Sequence, residues 1–132
     1  MSIIEVSAFH AAEALNNQAS SMLIDVRTAG EWQSSGVPLR SMQQLLLLSW
    51  RLLPAMQLNP EFEEELCSHI IDKSTHLFFI CKAGSRSREA AEFARNLGFT
   101  NCYNVADGFE GATERSGWKN SNLPYQVFSQ NA

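Results

Sequence analysis

Short, wholly apolar runs alternate along this chain with longer segments whose apolar residues recur at helical spacing, and few architectures accommodate such an alternation. Met22-Leu23-Ile24-Asp25-Val26 and Leu77-Phe78-Phe79-Ile80 are the runs. Each reads as a buried strand, and Cys102-Tyr103-Asn104-Val105 as another short one. Ser7 caps a helix whose buried stripe is Ala8, Ala11, Ala12 and Leu15. Asn59-Pro60-Glu61 predicts the next helix start, with Asn59 as cap and Pro60 in the first helical position. Glu61, Glu63 and Glu64 there face the positive end of the dipole, and Phe62, Leu66 and Ile70 form the stripe. Ala90, Phe93, Ala94 and Leu97 mark a further helix, stopped by Gly98. Residues 36–59 are the least legible: Gln43 to Leu48 fits strand or helix, with strand the better reading, and Pro54 interrupts the stretch beyond it. Strands alternating with helices predict an α/β domain with a central, mainly parallel sheet flanked by helices. The length of 132 residues fits one domain spanning residues 1–132.

Charge narrows the function. A net charge of −4 and a pI near 5.3 argue against a nucleic-acid partner, which selects a basic surface. The opening Met1-Ser2-Ile3-Ile4-Glu5 lacks a basic segment followed by a long apolar one, so no secretory leader is expected. The longest apolar run, Leu45 to Leu48, is far too short to span a bilayer. A soluble cytoplasmic protein with no membrane contact is the expectation. Cys67, Cys81 and Cys102 form no CxxC pair, and His10, His69 and His76 give no metal-ligand spacing with them, so neither a disulfide scaffold nor a metal is expected.

Cys81 stands apart because of where it falls. It follows an apolar strand and precedes a helix, the place where α/β sheets gather functional groups and where backbone N–H groups point outward unpaired. The segment Cys81-Lys82-Ala83-Gly84-Ser85-Arg86-Ser87-Arg88 adds three cations and no acid within an acidic chain. Cations and a helix N-terminus both favour negative charge on sulfur, so the thiolate is the expected resting form. Small residues at 83–85 let the backbone curl so that successive N–H groups converge on a bound anion. The alternative is a buried structural cysteine, since free cysteine is among the most buried residue types. Cys67 and Cys102, on an amphipathic helix and at a strand start, read as core filling. Trp32, Trp50 and Trp118 read as core or rim residues.

Cys-Lys-Ala-Gly-Ser-Arg-Ser at 81–87 resembles the Cys-x-x-Gly-x-Arg-Ser active-site loop of the rhodanese family. Leu23-Ile24-Asp25-Val26-Arg27 followed by Glu31-Trp32 is similar to that family's Asp-Val-Arg…Glu-Phe/Trp signature. Asp107-Gly108-Phe109-Glu110-Gly111 with Trp118 and Leu123-Pro124 resembles its Gly-Gly…Trp…Gly-Leu-Pro pattern. The chain departs from the family where Gly36-Val37-Pro38 stands for a longer Gly-His-Ile-Pro-Gly-Ala stretch, and where Asp107 replaces the first glycine of a turn, read as a tolerated turn substitution.

The resemblance implies a rhodanese-like fold and a sulfurtransferase that needs no cofactor. Cys81 would be the catalytic nucleophile, residues Lys82, Ala83, Gly84, Ser85, Arg86 and Ser87 the substrate-binding loop, and Asp25, Arg27 and Glu31 supporting residues. It further implies a small anionic sulfur donor such as thiosulfate, a thiol or cyanide acceptor, and in some settings a protein donor or acceptor. For Asp25 and Arg27 the residues themselves favour a structural pairing role. Arg27 could also pair with Glu31 four positions on, if Thr28 caps a helical turn there. Arg86 is expected to be partly architectural, holding loop carbonyls or donor oxygens, and Lys82 to attract an anionic donor.

Two other readings remain open. A non-enzymatic persulfide carrier or protein-interaction module of the same fold would share these motifs, although such binding units commonly lose the cysteine. A phosphatase or arsenate reductase is disfavoured. In those enzymes five residues separate the cysteine from the arginine, whereas here four lie between Cys81 and Arg86, and Ile80 stands where phosphatases place a histidine.

Overall fold

The computed structural model describes residues 3–40, 43–111 and 115–127. Met1 and Ser2, part of the segment with no leader pattern, lie outside them. The elements in chain order are β1 (Ile4–Val6), α1 (Ala8–Asn17), β2 (Met22–Asp25), α2 (Ala29–Ser35), β3 (Val37–Pro38), β4 (Leu45–Leu47), β5 (Arg51–Leu52), β6 (Gln57–Leu58), α3 (Phe62–His69), β7 (His76–Ile80), α4 (Ser85–Asn96), β8 (Asn101–Val105) and β9 (Tyr125–Gln126).

Five strands form the central sheet in the order β1-β8-β7-β2-β4, and every pairing in it is parallel. Side chains alternate between its faces. Leu77 and Phe79 of β7 enter a cluster with Leu66 of α3 and Ala90, Ala91 and Ala94 of α4. Phe78 and Ile80 enter another with Ala8, Ala11, Ala12 and Leu15 of α1 and with Phe109 and Trp118. That double burial is why β7 reads as an unbroken apolar run rather than an alternating one.

The chain leaves β2 toward β4, then returns through α3 to β7 on the other side of β2 and continues outward to β8. The direction of winding therefore reverses between β2 and β7. In an open α/β sheet that reversal leaves a crevice at the carboxyl ends of the strands. Cys81 is the residue after β7, at the mouth of that crevice.

Most sequence readings hold at the level of elements, including Ser7, whose side chain accepts the His10 N–H at 3.1 Å. The strand reading inside Gln43 to Leu48 is met by β4. The second helix start is corrected. α3 begins at Phe62 with Glu61 as its cap residue, and the Asn59 side chain instead accepts from the Glu61 N–H at 3.0 Å. Asn59 thus closes a turn just ahead of the helix, and Pro60 sits in that turn.

Candidate active site

α4 is the helix that makes the site possible. Its cap residue is Gly84, in the left-handed region with φ 106°, and no side chain caps it. The first N–H groups of an uncapped helix must find acceptors elsewhere. Cys81 Sγ is that acceptor, receiving the N–H of Gly84 at 3.1 Å and that of Ser87 at 3.3 Å. The Ser87 hydroxyl lies 3.2 Å from the same sulfur. Cys81 is 1% exposed, so these contacts are made in a dry environment where they count for more.

The loop is held from below by the turn that follows β8. Phe109 and Glu110 donate backbone N–H groups to the carbonyls of Cys81 and Lys82 at 2.8 and 3.0 Å. Contact is so close that a Cβ on Gly84 would overlap the Ala106 carbonyl, and one on Gly108 would overlap the backbone of Lys82 and Ala83. Both glycines also have positive φ, so sequence motif and backbone demand coincide at these two positions. Asp107 does more than tolerate its turn. Its carboxylate accepts the Ala8 N–H at 2.8 Å and the Gly117 N–H at 3.0 Å, tying α1 and the C-terminal segment to the turn under the loop.

The loop cations are not gathered round the sulfur, which corrects the simplest electrostatic expectation. Arg86 directs Nη1 and Nη2 at the two oxygens of Glu31, at 2.7 and 2.9 Å. Arg88 bonds Glu5 at 2.9 Å, and Lys82 and Arg88 are both exposed. What lines the sulfur is backbone N–H and hydroxyl. The Glu31 carboxylate, and to a smaller extent the Cys81 sulfur, hold the Arg86 guanidinium above its ordinary value.

Glu31 has a double attachment. Thr28 caps α2, accepting the Glu31 N–H at 3.3 Å, and Glu31 accepts the Thr28 N–H in return, a reciprocal capping box. Burial pushes the Glu31 carboxyl up, but the Arg86 guanidinium and the Thr28 donors outweigh it and hold it at about 2. The pairing of Arg27 with Glu31 is therefore corrected: Glu31 takes Arg86, and Arg27 takes Asp25 at 2.7 Å. Arg27 and Asp25 are both fully buried. Arg27 also bonds the Gly36 carbonyl at 2.7 Å and lies 4.1 Å over the Phe109 ring, on the α1 side of the sheet. That pair braces the crevice wall from behind rather than lining it.

Residues unmarked by the sequence join the site through Ser87. The Ser87 hydroxyl donates to Asn104 Oδ1 at 2.5 Å, and Asn104 Nδ2 donates to Glu5 at 2.8 Å and to the Gly84 carbonyl at 3.1 Å. The buried amide of Asn104, between Tyr103 and Val105 in strand β8, was the available signal, because a buried polar side chain is normally bonded to something specific. Leu53 and Met56 lie beside the Arg86–Glu31 pair around a shallow depression of about 360 Å³. A larger cavity of about 510 Å³, lined by Glu5, Ser7, His10 and Asp107, contains none of residues 81–87. Trp50 packs edge-on to Phe62 at 4.9 Å, and Trp118 is fully buried.

With this geometry in view, comparison with known proteins is decisive: the rhodanese-like domain is matched over residues 9–115, which include the whole Cys81 loop. The chain belongs to the rhodanese-like family. It is 43% identical over 128 residues to an uncharacterized protein of Rickettsia rickettsii, covering 96% of this chain and 99% of that one. It is 33% identical over 106 residues to the mouse thiosulfate sulfurtransferase/rhodanese-like domain-containing protein 3, covering 74% of this chain and 61% of the mouse protein. The crystal structure of Rv0390 from M. tuberculosis superposes with a TM-score of 0.84 at 32% identity, covering 97% of this chain and all (100%) of that one. The polysulfide-sulfur transferase homodimer of Wolinella succinogenes shares the fold, with a TM-score of 0.69 at 23% identity, over 97% of this chain and 81% of that one. In this rhodanese-like domain the matched residues include both the uncapped start of α4 and the strand-end Cys81.

Proposed function

We propose that this rhodanese-like protein is a sulfurtransferase in which Cys81 carries a sulfane sulfur between an anionic donor and a thiophilic acceptor. The observation that carries the reading is the convergence of the Gly84 and Ser87 N–H groups on Cys81 Sγ at the uncapped start of α4. In the first step the Cys81 thiolate attacks the outer sulfur of thiosulfate. A new S–S bond forms on Cys81, the S–S bond of thiosulfate breaks, and sulfite leaves with the electron pair. In the second, cyanide or a thiolate attacks the outer sulfur of the persulfide and Cys81 departs as thiolate. Dividing the transfer this way needs only one nucleophile and no cofactor.

The N–H groups of Ser85 and Arg86, first in α4, are free of protein acceptors among the described residues. They supply fixed dipoles for the negative outer sulfur or for the donor's oxygens. A cytoplasmic setting belongs to the same proposal, since three free cysteines suit a reducing compartment. A second reading, a carrier that exchanges sulfur only with a protein partner, draws on the exposed Leu52 and Leu53 of the β5–β6 hairpin, the latter beside Arg86.

Intact-mass spectrometry after incubation with thiosulfate tests the main reading. The expected result is a gain of about one sulfur per chain on Cys81, removed by cyanide with release of thiocyanate. Uptake only from a persulfidated protein, with none from free thiosulfate, selects the carrier reading. No gain from any donor ends both.

A further inference from the structure

The shallow depression beside Arg86 opens where the winding of the sheet reverses, and three connections from the carboxyl ends of its strands converge there. Thr28, Glu31 and Ser34 come from the connection and helix after β2, Arg86 from the loop and helix after β7, and Leu53 and Met56 from the β5–β6 turn beyond β4. The chain reaches that turn along the end of β2, since Leu48 and Trp50 donate N–H groups to the carbonyls of Asp25 and Val26 at 3.0 and 3.1 Å. Glu89 of α4 then anchors the hairpin, accepting the Trp50 indole N–H at 2.9 Å and Arg51 Nη2 at 3.3 Å. Crevices at such reversals are where open α/β sheets hold ligands.

The lining does not suit an anion. Arg86 is the one cation among the described lining residues, and both its Nη groups are directed at Glu31 oxygens, at 2.7 and 2.9 Å, so the two charges cancel. The opposite wall is apolar. Leu53 is 62% exposed, and Met56 is held at φ 54°, a left-handed conformation that an L side chain rarely adopts. Such strain persists only where neighbouring structure holds it, and it clusters at ligand clamps. Arg51 holds it here, with Nη1 donating to the Met56 carbonyl at 3.0 Å. The half-buried Met56 lines the depression with a thioether, which adapts to an irregular partner. A small molecule normally buries most of its surface in its site, which so open a depression does not allow. A chain segment laid across it covers Leu53 and Met56 together.

We propose that this depression receives the sulfur acceptor, and that the acceptor is a cysteine of a partner protein flanked by uncharged, apolar side chains. The proposal rests on the sulfurtransferase reading and names its acceptor. The anionic donor is drawn to the free N–H groups at the start of α4, whereas the apolar flank of the acceptor covers Leu53 and Met56 and brings its thiol to the loop from the Arg86 side. That thiol gives its proton to solvent and its sulfur attacks the outer sulfur of the Cys81 persulfide. The bond between the outer sulfur and Cys81 Sγ breaks, Cys81 leaves as thiolate with the electron pair, and the partner departs as a persulfide. Leu53 and Met56 thereby determine which acceptor is served.

Acceptor kinetics on the thiosulfate-loaded full chain test this with two blocked tripeptides, acetyl-Leu-Cys-Leu-amide and acetyl-Ser-Cys-Ser-amide. The leucine peptide should show a kcat/KM about five- to tenfold higher, the gain expected from partial burial of its apolar side chains. Leu53→Ser should reduce that preference to about twofold or less. Met56→Gly should reduce it too, yet melt no lower than the parent, because glycine takes φ 54° without strain. Equal rates for the two peptides overturn the proposal, and so does a preference that survives both variants. A preference for butanethiol over mercaptoethanol, with none between the peptides, also overturns it and makes the depression a pocket for small thiols. Binding is read without turnover in Cys81→Ser, where the leucine peptide at millimolar concentration should shift the methyl resonances of Leu53 and Met56 and the serine peptide should not. Absence of those shifts overturns the docking surface even where transfer proceeds. Shifts in Cys81→Ser with no sulfur uptake by the parent from any donor defeat the transferase reading and leave the docking surface standing.

Discussion

Two cysteines on one face of the sheet, Cys81 and Cys102, are buried almost equally, at 1% and 4% exposed, yet sit in opposite chemical surroundings. Cys81 follows the carboxyl end of β7, where the uncapped start of α4 aims N–H groups at its sulfur. Cys102 is the second residue of β8, entered from the other end of α4, and its thiol faces the Phe99 carbonyl at 3.6 Å. Burial pushes the Cys102 thiol up to about 11, with only a small opposing pull from Arg95. Burial alone thus says little about a cysteine in this fold. The end of the strand decides, because it determines whether donors or carbonyls surround the sulfur.

Exchanging each sulfur for oxygen is the harshest test of that contrast. Cys81→Ser should lower sulfur transfer to cyanide by at least about a thousandfold, since the covalent intermediate is lost. Cys102→Ser should leave transfer within about twofold and cost roughly 1–2 kcal/mol of stability for a hydroxyl placed in an apolar site. Steady-state assays beside thermal melts check both. Equal loss in the two variants breaks the distinction between strand ends.

Backbone packing under Cys81 gives the next largest effect. Gly108→Ala forces a side chain into the Lys82 and Ala83 backbone at φ 66°. It should destabilise by about 2–4 kcal/mol, through strain and overpacking together. Sulfur uptake should fall as well, because the loop has to move to admit the methyl. A variant that melts like the parent would show that the turn and the loop are not in rigid contact.

The Arg86–Glu31 pair should have a smaller effect, with a defined acid limit. Arg86→Ala leaves a partly buried Glu31 without its partner, at an expected cost of about 1–3 kcal/mol, between the surface and fully buried cases. The Glu31 carboxyl is held below its ordinary 4.5, at about 2. Its contribution is thus complete above about 4.5 and is lost as pH falls toward about 2. Acid melts of the parent and Arg86→Ala should differ most above that window and converge below it. A difference that persists at the acid end would assign the Arg86 effect to packing.

The sheet and the cysteine loop were legible in sequence because their signals are local. Apolar runs such as 77–80 need only their own composition, and the small residues at 83–85 announce a tight curl. Partner choice was not legible. The linear reading offered Glu31 to Arg27 and gave Arg86 loop carbonyls or donor oxygens, and only the positions of β2 and α2 send Arg27 to Asp25 and Arg86 to Glu31. Asn104 was missed for the same reason: its role depends on Glu5 and Ser87, which are 99 and 17 residues away in the chain. The start of α3 was misread because Asn59 can cap a turn as readily as a helix, and Pro60 suits both.

Lys82 should show the smallest effect, and its size separates attraction of a donor from chemistry at the sulfur. Its side chain is exposed while its backbone carbonyl is fixed by the Glu110 N–H, so truncation leaves the loop in place. A solvated cation beside the loop acts at a distance, by raising the local concentration of anions, and salt screens that action over about 8–10 Å. Lys82→Ala should therefore raise the thiosulfate KM by roughly two- to fivefold at low ionic strength and leave kcat within error. The difference should shrink as salt is added. A fall in kcat that salt does not diminish would mean that Lys82 reaches the reacting sulfur, and the contrast between an exposed steering charge and buried N–H donors would then have to be redrawn.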